Sequence, residues 1–124
     1  MAGIVQLASQ ATMESASSTG TAVTPGTAQY HPGVAKAWHF LQAGGGVVAS
    51  YNFSSLTTNA TGDYTFNLAR AFSSSNYAAV ATAGLQGRQA NVVDRNPSVI
   101  RVQTTDQSFA LELTNTSLVC FGDQ

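Results

Sequence analysis

The chain has 124 residues, enough for one domain that buries about two thirds of its unfolded surface. Only 9% of the residues are charged and the formal net charge is -1 at pH 7, against about 25% charged in an average soluble protein. So sparse a charge excludes an electrostatic grip on nucleic acid or anionic lipid and leaves Ser, Thr, Asn and Gln to solvate the surface.

Taken in chain order, Ile4, Val5 and Leu7 make a short apolar entry, with no basic leader and no apolar run before it; neither a secretory signal nor membrane insertion is expected. Ser9 can accept from the first free N–H groups of a helix, and one or two turns from Gln10 to about Ser17 are predicted. The Ser, Thr and Gly of residues 15–21 favour caps and turns, so this helix should end before Gly20. Pro25 and Pro32 push the residues before them into extended geometry. From His31 onward the pattern is strand and turn. Residues 36–42 alternate, with Trp38 and Phe40 on one face and His39 and Leu41 on the other, and Trp38 is assigned to the core. Gly44, Gly45 and Gly46 supply a hairpin turn, and residues 47–53 return.

Turn residues are read from Ser54 to Asp63, followed by a strand at 64–68 with Tyr64, Phe66 and Leu68 inward. After a turn at 73–76 comes a small-residue strand at 77–83, then a loop marked by Gly84 and Gly87. Asn91 to Asp94 is read as a short strand ended by Arg95, Asn96 and Pro97. Further strands are expected at 99–104, at 109–113 with Phe109, Leu111 and Leu113 inward, and at 117–122, with a turn at 105–107. Short strands at this spacing indicate an antiparallel all-β sandwich, taken as jelly-roll-like. The single cysteine, Cys120, excludes an internal disulfide framework and reads as a small core side chain beside Val119 and Phe121.

No nucleophile elbow, phosphate loop or zinc motif is present in the sequence, and Gly44-Gly45-Gly46 lacks the following Lys of a phosphate cradle. The carboxylates are Glu14, Asp63, Asp94, Asp106, Glu112 and Asp123; a glycosidase would need two of them facing one cleft about 5 to 9 Å apart. Asp63 and Asp106 lie in turn contexts where Asp caps its own backbone. His31 beside Pro32 and His39 on a strand belong to no clustered ligand spacing. No catalytic activity, cofactor or metal is therefore expected.

One resemblance adds to this reading. Gly3-Ile4-Val5-Gln6-Leu7-Ala8-Ser9-Gln10-Ala11, Ala22-Val23-Thr24-Pro25, His31-Pro32 and Ala35-Lys36-Ala37-Trp38 are similar to a segment near the distal end of tail fibres and fibre-like appendages of tailed bacteriophages. The likeness covers roughly the first half of the chain. Thr12 departs from it where an acid usually stands, so the reciprocal Ser-x-x-Glu cap is lost, and Thr21 stands in place of a basic residue. The resemblance implies a virion protein, a homotrimer whose residues 1–30 form a collar joined to other virion proteins, with a head at 31–124 that binds a host-surface glycan or lipopolysaccharide. Loops carry recognition on such scaffolds. The richest one gathers Gln86, Arg88, Gln89 and Asn91 with Asp94 and Arg95, whose amides, carboxylate and guanidinium groups hydrogen-bond sugar hydroxyls and anionic substituents. The competing readings are a purely structural fibre cap or capsid decoration, a free carbohydrate-binding module, and a depolymerase.

Overall fold

A computed structural model describes residues 3–124. Two short helices, α1 (Gln10–Ser15) and α2 (Pro25–Ala28), precede β1 (Ala37–Gln42), β2 (Gly46–Tyr51), β3 (Phe53–Ala60), β4 (Asp63–Leu68), β5 (Ala78–Ala83), β6 (Gln89–Asn96), β7 (Val99–Thr105) and β8 (Thr116–Phe121). The strands form two four-stranded antiparallel sheets, ordered β2-β1-β8-β5 and β3-β4-β7-β6. The fold is an all-β sandwich. The jelly-roll expectation does not hold: β1–β2, β3–β4 and β6–β7 are hairpins within a sheet, where two Greek keys would carry the chain across. Tight turns drive this pairing, as at Gly44 and Gly45, whose φ values of 95° and 90° suit glycine.

Period-two burial builds the core. Ala37 and Leu41 of β1 and Leu118 and Cys120 of β8 face Tyr64, Phe66, Leu68, Ile100 and Val102 of the opposite sheet, all buried. Burial pushes the Cys120 thiol up to about 12, which makes it an inert packing group. In β1 the alternation is as predicted but the face assigned to the core is reversed. Ala37, His39 and Leu41 point in, while Trp38 is 41% and Phe40 37% exposed. The small Ala37 and the flat His39 ring fit beneath Phe53 and Phe66, with centroids 5.4 and 4.7 Å from His39, where an indole would not.

Three further expectations are corrected. Residues 54–60 are not turn but most of β3, because Phe53, Leu56 and Thr58 pair with Leu68, Phe66 and Tyr64 across the ladder. Residues 109–113 are not a strand. Asp106 Oδ1 accepts from the N–H groups of Ser108 and Ala110 at 2.7 and 3.0 Å and closes a turn that sets Phe109 at φ +64° and 75% exposed. Because β7 is already flanked by β4 and β6, only an isolated bridge from Leu111 to Thr105 remains. The short strand at 91–94 runs from Gln89 to Asn96, since β7 offers a full-length partner.

Before the sandwich, Ser9 caps α1 by accepting from the Thr12 N–H at 3.2 Å, and the helix ends at Ala16 with φ 50°. A second helix was not foreseen. Thr24 and Thr27 cap each other's backbone N–H groups at 3.3 and 3.1 Å, with Pro25 in the first turn, a Thr-x-x-Thr version of the capping box. A parallel bridge between Leu7 and Ala22 folds this segment on itself over buried Ala8 and Met13. It is tied to the sandwich by Lys36, whose Nζ donates to the carbonyls of Gln29 and His31. Asn52, at φ +61°, turns the chain from β2 into the other sheet and bonds Lys36 and Arg70 on the way.

Candidate functional site

The two outer faces of the sandwich differ in chemistry. All the charged side chains held on strands, Asp63, Asp94, Arg95 and Arg101, lie in the sheet β3-β4-β7-β6; the strands β2, β1, β8 and β5 hold none.

On the charged sheet, Ile100, Val102 and Thr104 of β7 turn inward, so Arg101 and Gln103 turn out. Opposite them in β4 are Thr65 and Asp63, and in β6 Asp94 and Asn91. Asp63 is the hub. Its Oδ1 accepts from Arg101 Nε at 2.9 Å and from Asn59 Nδ2 at 3.0 Å, and its Oδ2 from Arg101 Nη2 at 2.5 Å and Gln103 Nε2 at 2.8 Å. Asn59 also donates to Thr65 Oγ1 at 2.8 Å. Covered by these side chains, Asp63 is only 4% exposed although it points away from the core. The bidentate Arg101 guanidinium, then the Gln103 and Asn59 amides, hold its carboxyl well below the usual carboxylate range. The folded group stays ionised where the unfolded one, near 3.8, would take up a proton. Its stabilisation is therefore complete above that value and lost as pH falls through the lower folded one. A carboxylate so held cannot serve as a proton donor, which needs a raised pKa. Its work is to fix Arg101, Gln103 and Asn59 in place. The expectation that Asp63 caps its own backbone is thereby corrected.

The residues selected from sequence are divided by the fold. Gln89 and Asn91 are exposed on β6 opposite Thr105 and Gln103, and Asp94 lies opposite Arg101, so the register places these three beside the Asp63 network on one polar face. Gln86 and Arg88 stay in the turn before β6, where Arg88 Nη2 is 3.7 Å from Glu112 Oε2. Arg95 leaves the group: its Nε donates to the Ser75 carbonyl at 3.3 Å, and its guanidinium lies 5.8 Å from the Tyr77 ring centroid. Four of the six, Gln89, Asn91, Asp94 and Arg95, are therefore residues of the strand β6 rather than of one loop. The missed members are Asn59, Asp63, Thr65, Arg101 and Gln103. Their signal was in the alternation, since Asp63 and Thr65, and Arg101 and Gln103, stand two apart between inward-facing residues.

The uncharged sheet presents exposed aromatic and aliphatic side chains. The register aligns Tyr51, Trp38, Val119 and Val80 in one row across four strands. Two open hollows flank Trp38: one of about 270 Å³ bordered by Phe40, Val80, Thr82 and Val119, the other of about 250 Å³ bordered by Val34, Tyr51 and Gln124. A larger hollow, about 330 Å³, lies elsewhere, between Glu14, Tyr30 and Asp123. Both of its carboxylates accept hydrogen bonds, from Gln10 at 2.7 Å and Ser73 at 3.0 Å. Among the described residues no three His, Cys, Asp or Glu side chains come together as a metal site, and no helix is long and apolar enough to cross a membrane.

Compared with known proteins, the chain matches no family model, no curated protein and no solved structure.

Proposed function

We propose that this chain is the head of a trimeric fibre-type appendage on a tailed-phage virion and that it binds a host-surface glycan without turning it over. The observation that carries the reading is the polar outer face of the β3-β4-β7-β6 sheet. Asp63 fixes Arg101, Gln103 and Asn59, and Gln89, Asn91 and Asp94 extend the same surface with unspent amide and carboxylate groups. Planar donors and acceptors on rigid strands, rather than on a mobile loop, suit sugar hydroxyls, whose recognition depends on a few well-placed polar groups. Residues 1–30, whose described part folds over Ala8 and Met13, remain the segment through which other virion proteins would hold the head.

A panel of purified bacterial surface polysaccharides immobilised on an array tests this. The wild-type protein should retain at least one of them intact. The double variant Gln89→Ala/Asn91→Ala should bind it about tenfold or more weakly, the loss of one or two hydrogen bonds to a neutral ligand, with unchanged melting. Equal binding by the variant would move recognition off this face. Cleavage of the polysaccharide would replace a binding head by a depolymerase.

A further inference from the structure

We infer that the hollow beside Trp38 and Tyr51, on the outer face of the β2-β1-β8-β5 sheet, is a stacking site for one hexose unit of a glycan. The inference rests on the glycan reading above for its class of ligand, and adds an aromatic contact on the sheet opposite the Asp63 network. Trp38 and Tyr51 are direct partners in the β1–β2 register, so their side chains stand side by side on one face. Trp38 keeps 41% and Tyr51 50% of its surface. In the opposite sheet Phe53, Tyr64 and Phe66 all pack on the core, and Phe72 stacks on Tyr77 with centroids 4.0 Å apart. Neither Trp38 nor Tyr51 pairs with another ring among the described residues. Their faces are left for a ligand.

Polar groups border the rings. The hollow, about 250 Å³, is lined by Gln29, Lys36 and Gln124 as well as by Val34, Trp38 and Tyr51. Lys36 is only 5% exposed, and its Nζ donates to the carbonyls of Gln29 and His31, which leaves one of its three N–H groups over. Arg70 braces both amides: its Nη1 donates to Gln29 Oε1 at 3.2 Å, and its carbonyl accepts from Gln124 Nε2 at 2.9 Å. Amides held in this way still offer their second N–H and further acceptor capacity to a ligand. A lipid chain or an aliphatic side chain in the hollow would dry these groups without pairing them, a costly state for a buried donor. A hexopyranose brings a match for both halves. Its slightly positive C–H face lies on the electron-rich face of an indole or phenol ring, and its hydroxyls, each donor and acceptor, meet the amides and the ammonium at the rim. Drug-sized ligands fill about 300 to 1,000 Å³, so this smaller hollow suits one sugar ring.

Trp38 is the single tryptophan of the chain, so its emission reports on this hollow directly. The test is fluorescence titration of the full-length protein with the methyl glycosides of glucose, galactose, mannose and N-acetylglucosamine, and with any polysaccharide retained on the array. At least one of them should move the emission to shorter wavelength, as the indole leaves water, and do so saturably. Tyr51→Ala keeps the reporter and should weaken that binding about fivefold or more, the loss of one stacking partner. Gln124→Ala should weaken it by a similar factor through the lost amide, and the variant that melts like the wild type decides if the other does not fold. A polysaccharide held on the array through Gln89 and Asn91 that leaves Trp38 emission unmoved would overturn the stacking site and leave the glycan reading standing. A saturable shift that Tyr51→Ala weakens, beside full array binding by Gln89→Ala/Asn91→Ala, would support this site and move recognition off the polar face. No shift with any glycoside or retained polymer would overturn the inference. So would an emission that shifts with protein concentration alone and ignores sugar, since a second copy would then cover the rings.

Discussion

His39 offers the sharpest quantitative test of how the core is packed. It is 4% exposed between the Phe53 and Phe66 rings, and its Nδ1 has no hydrogen-bond partner among the described residues. An unpaired buried nitrogen costs about 1 to 3 kcal/mol. His39→Phe removes that cost and completes a three-ring cluster, where each aromatic pair adds about 0.5 to 1.5 kcal/mol. The larger ring can expand toward the hollow of about 100 Å³ bordered by Val47, Ser50 and Leu56, which limits overpacking. The net expectation at pH 7.5 is a gain of about 1 kcal/mol, or roughly 4 °C in melting temperature. Acid should widen the gap. Desolvation alone lowers the folded pKa of His39 below 6.5, so the unfolded chain takes up a proton before the folded one does. Stability is then complete above about 6.5 and lost as pH falls from there through the folded value, at up to about 1.4 kcal/mol per pH unit. Urea titrations of both proteins at pH 7.5 and 5.5 measure this, with the variant showing the flatter profile. A variant less stable than wild type at pH 7.5, or a wild type equally stable at both pH values, would show that Nδ1 is hydrogen-bonded in solution and would refute the reasoning.

Two further substitutions probe the sandwich. Phe66→Ala, fully buried in the core, should cost about 3 to 5 kcal/mol. Trp38→Ala should cost only about 2 kcal/mol, since the indole keeps 41% of its surface; calorimetry measures both, and equal losses would return Trp38 to the core. Gly62→Ala puts a Cβ 2.6 Å from the Glu112 carbonyl and 2.7 Å from that of Thr104, at φ +68°. That change should cost about 2 to 3 kcal/mol in chemical denaturation, and an unchanged midpoint would mean that the β3–β4 turn does not rest on residues 104–112.

Local chemistry alone determined much of this protein. Alternation at Tyr64, Phe66 and Leu68 gave a strand with the correct inner face, because period two needs only one buried side, and residues 99–104 read as the strand that is β7. Ser9 and the Gly44–Gly45 pair positioned a cap and a hairpin through groups that act within a few residues. Thr57 and Thr58 also carried a β-branched strand signal, yet the Ser, Asn and Gly around them read as turn until β4 supplied a partner. What alternation cannot say is which face turns inward when both are apolar. In β1 the small Ala37 and the flat His39 won over Trp38 because the rings of Phe53 and Phe66 had already filled the space above them. The polar site was hidden for a related reason. Asp63, Arg101 and Asn91 are separated along the chain and become neighbours only through the registers β4–β7 and β6–β7. Those registers are set by matching hydrophobic faces across strands, a condition of the folded sandwich that no single segment contains.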